Sequence, residues 1–118
     1  MKRKILFLVF TNEPCRRNHA FLYAIDLARH GHDVRLLLEG EGVQCLRERE
    51  ERFGELFEEA RGLGLLVGVC KAASAGCSDA SRDVTRLAEE SGLALVATLD
   101  GHAGIAEFVE EGYEVITF

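Results

Sequence analysis

The sequence predicts a single three-layer α/β/α domain over residues 1–118, with a mostly parallel five-stranded sheet of the flavodoxin or Rossmann kind. Three observations carry this. Short apolar runs alternate with helical stretches in the order βαβαβαβαβ, which implies right-handed crossovers and a parallel sheet between helix layers. The first run, Ile5–Phe10, is apolar throughout, as a strand covered on both faces must be. The 118 residues are 47% hydrophobic and 29% charged, the mix of one soluble globular unit, and no linker, repeat or low-complexity segment divides them.

The first strand ends at Thr11-Asn12-Glu13-Pro14. Arg17–His30 then places Ala20, Phe21, Ala24, Ile25 and Ala28 at helical spacing, and Gly31 stops the helix. Pro14 suits a first helical position, with Asn12 or Glu13 as its cap. Asp33–Glu39 reads as the second strand, closed by Gly40-Glu41-Gly42. From about Gln44 to Arg61 a helix is expected, with Leu46, Phe53, Leu56, Phe57 and Ala60 as its apolar stripe and Cys45 as a packing residue. Its dense Glu/Arg face is a solvated surface with i,i+4 pairs. Leu65–Cys70 is the third strand. Lys71–Arg82 is small and polar, a loop or short helix start, before a third helix marked by Val84, Leu87 and Ala88 and stopped by Gly92. Leu93–Leu99, Gly101–Glu111 and Tyr113–Phe118 complete the pattern as strand, helix and strand, with Asp100 read as the helix cap.

Composition excludes several functions. Twenty acids against 14 bases give a net charge of −6, which disfavours nucleic acid and anionic membrane as partners. Met1-Lys2-Arg3-Lys4 and the apolar run after it mimic the start of a signal peptide. The run is too short for a signal core or a bilayer span, so a cytoplasmic protein with reduced thiols is expected. Neither G-x-G-x-x-G after the first strand nor G-x-x-x-x-G-K-[ST] anywhere is present, which disfavours nucleotide and dinucleotide chemistry.

Ligands of open parallel sheets sit at the carboxyl ends of the strands. Here those are Thr11–His19, Glu39–Gly42, Lys71–Arg82 and Asp100–Gly104, and Cys15, Cys70, Cys77, His19 and His102 lie in or beside them. Cys70 ends a strand just before a helix and beside Lys71, a placement expected to lower its pKa and suit a nucleophile. The plainer alternative is a small buried hydrophobe at a strand end. Cys77 is a resolving partner or a bystander. Cys15 and His19, four apart, share a helical face, so His19 could orient a thiolate or simply cap the helix. Cys15, His19, Cys70 and Cys77 together form a loose ligand set for metal, although C-x-x-C spacing is absent.

Four segments then resemble the DsrE/DsrF-like family: Lys4-Ile-Leu-Phe-Leu-Val-Phe-Thr-Asn, Glu39-Gly40-Glu41-Gly42-Val43, Val69-Cys70-Lys-Ala-Ala and Glu111-Gly112-Tyr113-Glu-Val-Ile-Thr-Phe. Their order and spacing span the chain. The resemblance implies a small sulfur-relay protein, a carrier or sulfurtransferase, in which Cys70 holds sulfur as a persulfide. It also implies sulfur donor and acceptor proteins as partners, a homo-oligomer, and no cofactor. The Pro14–Ala20 segment and Cys77 depart from that pattern. Two rival readings are a metal or small-ligand protein using Cys15, His19, Cys70 and Cys77, and an oligomer-forming subunit with a degenerate site.

Overall fold

After Met1-Lys2-Arg3 the chain runs as β1 (Lys4–Val9), an interior strand next to one edge of a five-stranded sheet. This is a computed structural model, and it describes residues 1–48, 50–74 and 79–118, with the backbone alone for residues 74 and 79–83. The strands β2 (Asp33–Leu38), β3 (Leu66–Cys70), β4 (Ala94–Val96) and β5 (Glu114–Thr117) join β1 in the order β4-β3-β2-β1-β5, every pairing parallel. The chain builds outward from β1 on one side and then returns to pair β5 on the other.

Alternate residues decide the two faces. Ile5, Phe7 and Val9 align with Val34, Leu36 and Leu38 on one face. They pack against α1 (Pro14–Arg29), α2 (Glu51–Gly62) and α4 (Asp79–Glu90) through Phe21, Ile25, Phe53, Leu56 and Val84. Leu6, Leu8, Leu37 and Cys70 occupy the opposite face, under Ala103, Tyr113 and the short α5 (Ala106–Glu110). Between β2 and β3 the register shifts, from Leu36 opposite Leu66 to Leu37 opposite Gly68. This one-residue irregularity matters because side chains alternate with a period of two. It sets Val69 opposite Leu38, so that Cys70 follows in line with Glu39.

Two helix boundaries differ from expectation. The single helix expected over about Gln44–Arg61 is a 3₁₀ segment, Gly40–Arg47, followed by α2. Glu48 and Glu50 are extended between them, and the Glu50 carboxylate restarts the helix by accepting from the Arg52 and Phe53 amides at 2.8 and 2.9 Å. The break also lets both glutamates reach the buried Arg17, at 3.9 and 3.7 Å. After Cys70, of the loop and the short helix start that the sequence allowed, the helix start is found, as α3 (Lys71–Ser74). The last helix is shorter than Gly101–Glu111, and Asp100 does not cap it. Asp100 and Gly101 have φ of +49° and +84° and form a tight reversal that pairs Leu99 with His102. Positive φ at both central residues is the primed-turn geometry that Asp-Gly favours, and it competes with helix initiation.

Gly42 marks the tightest passage in the fold. A Cβ there would lie 2.1 Å from the carbonyl oxygen of Val9, whereas one at Gly54 in α2 would meet nothing within 4 Å. Gly42→Ala should therefore destabilise the chain by roughly 3 kcal/mol, the upper end of overpacking costs. Gly54→Ala should stabilise it by roughly 0.5–1 kcal/mol, the helix-interior preference for alanine. Denaturant midpoints of the two variants, compared at equal slope, check the contrast.

Candidate functional site

Three chain segments bring Glu39, Cys70 and His102 together at the carboxyl ends of β2, β3 and β4. Their ligating atoms all lie within 4.8 Å of one another. Glu39 leaves β2 directly and begins the 3₁₀ segment, where its side chain accepts from the Gly40 amide at 2.9 Å. Its own amide donates to the Val9 carbonyl at 2.9 Å, which ties the carboxylate to the end of β1 as well. Gly40, at φ +49°, makes the sharp entry into the 3₁₀ turn possible.

Cys70 is the last residue of β3 and is fully buried. Its sulfur accepts from the Ala73 amide at 3.4 Å, because α3 begins at once and turns that amide back toward the strand end. His102 Nδ1 lies 3.8 Å from the same sulfur, and the imidazole is exposed. The reversal at Asp100-Gly101 carries it there, and the Ala72 amide, donating to the Gly101 carbonyl at 3.0 Å, anchors that reversal to α3.

The thiol's electrostatics run against the sequence expectation. Burial, the largest influence, pushes the Cys70 thiol above the usual range. The Ala73 and Ala103 amides pull the other way, but the Glu39 carboxylate, hydrogen-bonded to the thiol, adds to the rise. The helix-start effect is present but is outweighed, so Cys70 rests as a protonated thiol near neutral pH. Glu39 and His102 are the two groups placed to accept its proton.

The remaining sequence candidates lie apart. Cys15 and His19 form their own pair on the first turns of α1, both away from the buried core, with Sγ 3.7 Å from Nδ1. Nδ1 sits 2.7 Å from the Cys15 carbonyl, to which it donates, so that nitrogen holds a proton and cannot take one from the thiol. The helix start there is capped by Glu13, whose carboxylate is held below the usual range by the amides of Arg16 and Cys15. Among the described residues, neither Cys15 nor His19 joins the Glu39–Cys70–His102 group. Cys77 lies outside the described residues. Cys45 is the packing residue expected, on the 3₁₀ segment and not on a helix, and burial pushes its thiol up to about 12. Reading strand ends for cysteines missed Glu39 and His102 as partners. The Glu39-Gly40 and Asp100-Gly101 pairs are the signals that could have found them, since each marks a turn that aims its neighbour at the sheet end.

The family model described as the DsrE/DsrF-like family matches residues 3–118. No curated protein and no solved structure matches the chain.

Accessibility and charge set an order of thiol reactivity among the three described cysteines. Iodoacetamide near neutral pH should modify exposed Cys15 first, Cys70 slowly and Cys45 last, read by peptide mass against time. Both raised thiols also make stability pH-dependent. A folded pKa above the unfolded value, about 8.5 for cysteine, stabilises below that value and loses the benefit as pH rises toward the folded pKa. For Cys45 the window runs from about 8.5 to about 12. Urea midpoints of the parent chain should fall across it, and Cys45→Ala should flatten the fall.

Proposed function

Since the chain belongs to the DsrE/DsrF-like family, which is associated with sulfur relay, we propose that it carries sulfane sulfur as a persulfide on Cys70. One observation supports this above the rest. At Cys70 Sγ a strand end, an amide donor from Ala73 and two proton acceptors, Glu39 and His102, converge.

The transfer balances without an outside oxidant. The Cys70 sulfur attacks the terminal sulfur of a donor protein's persulfide, R–S–SH. The S–S bond of the donor breaks as a new one forms on Cys70, giving Cys70–S–SH and R–SH. The sulfane sulfur carries its oxidation level with it, and the Cys70 proton passes through Glu39 or His102 to the departing thiolate. Because the resting thiol is protonated, deprotonation is part of the step. His102 is exposed and touches the buried sulfur, so it is the group that a donor approaching from solvent meets first. Delivery to an acceptor thiol is the same exchange in reverse. Among the described residues Cys15 does not join this group, so a resolving role for it would call on the geometry of a partner or a second copy.

The test is intact mass after incubation with a sulfur-loaded desulfurase. A gain of one sulfur atom, removed by reductant and absent in Cys70→Ser, is expected. No gain, or a gain that survives in Cys70→Ser, overturns the assignment, and no gain at all points to the degenerate-site reading.

A homo-oligomer in a reducing compartment belongs to the same proposal. Strand β5 is an edge, Ile116 on it is 41% exposed, and Tyr23 beside Phe118 is 52% exposed. An unpaired edge with apolar flanks favours association. Light scattering at micromolar concentration should therefore report more than one copy, and a clean monomer removes this part of the proposal.

A further inference from the structure

We infer that Glu39, Cys70 and His102 form a site for a zinc-class divalent cation. The donors are one thiolate sulfur, one imidazole nitrogen and one carboxylate oxygen, the mixed set that borderline-soft zinc accepts and that magnesium or calcium does not. Tetrahedral zinc with Zn–S of about 2.3 Å and Zn–N of about 2.0 Å sets S and N about 3.5 Å apart. The 3.8 Å between Cys70 Sγ and His102 Nδ1 lies close to that edge, and no pair in the group exceeds 4.8 Å. A thiolate and a carboxylate together neutralise a doubly charged ion, with the imidazole neutral.

The surroundings fit the same reading. The Gly40 amide holds the Glu39 side chain, and the Ala73 amide donates to the sulfur, so two of the three donors are oriented by backbone groups behind them. Three protein ligands leave a fourth position open, and the exposed His102 puts that position toward solvent. The set differs from the one expected from sequence, which joined Cys70 to Cys15, His19 and Cys77. On binding, the Cys70–H bond gives way to a sulfur–metal bond and the proton goes to buffer. Ion and sulfane sulfur need the same Sγ, so on the sulfur-carrier reading above each excludes the other.

Cobalt(II) is the probe, because it reports thiolate ligation and coordination number by colour. Reduced, chelator-stripped protein titrated with cobalt should develop a sulfur-to-cobalt charge-transfer band and the intense visible bands of a tetrahedral ion, both bleached by one equivalent of zinc. Cys70→Ser should lose the charge-transfer band. Glu39→Gln and His102→Ala should each weaken cobalt binding by about tenfold or more, the scale on which even outer-shell losses are felt. Cys15→Ser should leave the spectrum unchanged, and circular dichroism confirms that each variant is folded. No charge-transfer band in the parent, or one that persists in Cys70→Ser or vanishes in folded Cys15→Ser, overturns the site. Sulfur loading is measured on chelator-stripped protein, so its failure and the failure of the metal site are separate results. Zinc-loaded protein that still gains sulfur on Cys70 would overturn the exclusion.

Discussion

The contact between the Cα of Gly42 and the carbonyl oxygen of Val9 governs how the chain crosses the carboxyl end of the sheet. A Cβ at 2.1 Å from that oxygen is impossible without moving the backbone, so only glycine lets the 3₁₀ segment lie this close. The same carbonyl accepts from the Glu39 amide, and the Gly42 amide donates to the Glu39 carbonyl at 2.8 Å. Three short links therefore fix Glu39 relative to β1, and the irregular β2–β3 register then brings Cys70 alongside it. Remove the close passage and the carboxylate loses its place, although nothing in Gly42 itself takes part in chemistry.

Arg17 secures the other end of that segment. Its guanidinium lies over the Phe53 ring at 4.0 Å, is buried from solvent, and faces Glu48 and Glu50 where the 3₁₀ segment gives way to α2. Asn18 and Asn12 oxygens take its remaining hydrogen bonds, at 3.0 to 3.5 Å. A buried ion pair adds little net stability once desolvation is counted, but deleting one partner leaves a charge stranded. Here both glutamates are partly solvated, which lowers the desolvation cost. The contribution of Arg17 is geometric. It ties the first turn of α1 to the start of α2, and so keeps the segment carrying Glu39 and Cys45 pressed onto the sheet.

The strands were legible because burial on both faces demands apolar runs, as in Ile5–Val9 and in Val34–Leu38, which only Arg35 interrupts. Helix ends were legible where Gly31, Gly92 and Gly112 adopt positive φ. Cys70 was legible by position, as a thiol at a strand end. The split of the Gln44–Arg61 stretch was not, because its apolar spacing suits one helix and the break depends on a charge, Arg17, from a distant part of the chain. His102 was legible by position, but its pairing with Cys70 was hidden for a different reason. Asp100-Gly101 satisfies both a helix cap and a primed turn, and only the Ala72 amide reaching the Gly101 carbonyl decides between them. The sign of the Cys70 shift was illegible for the same kind of reason, since it depends on how deeply β3 is covered and on a carboxylate 31 residues earlier in the chain.

The arrangement also places the chemistry away from where an open sheet would first be searched. The chain reverses its direction of growth at β1, between β2 and β5, and ligands of such sheets favour that crevice. In this chain Phe118 fills it, with its carbonyl accepting from the Phe10 amide at 2.7 Å and its ring stacked on Phe7 at 5.6 Å. The group of donors lies two strands over, where Glu39 faces a thiol that burial holds protonated and the carboxylate helps to keep so. That carboxylate opposes a bare negative charge on Cys70, and by the same Coulomb law it favours a cation bound to the same sulfur. Its charge therefore sorts the states of Cys70: a neutral thiol is held at rest, an isolated thiolate is disfavoured, and any occupant of the sulfur that brings positive charge is drawn in.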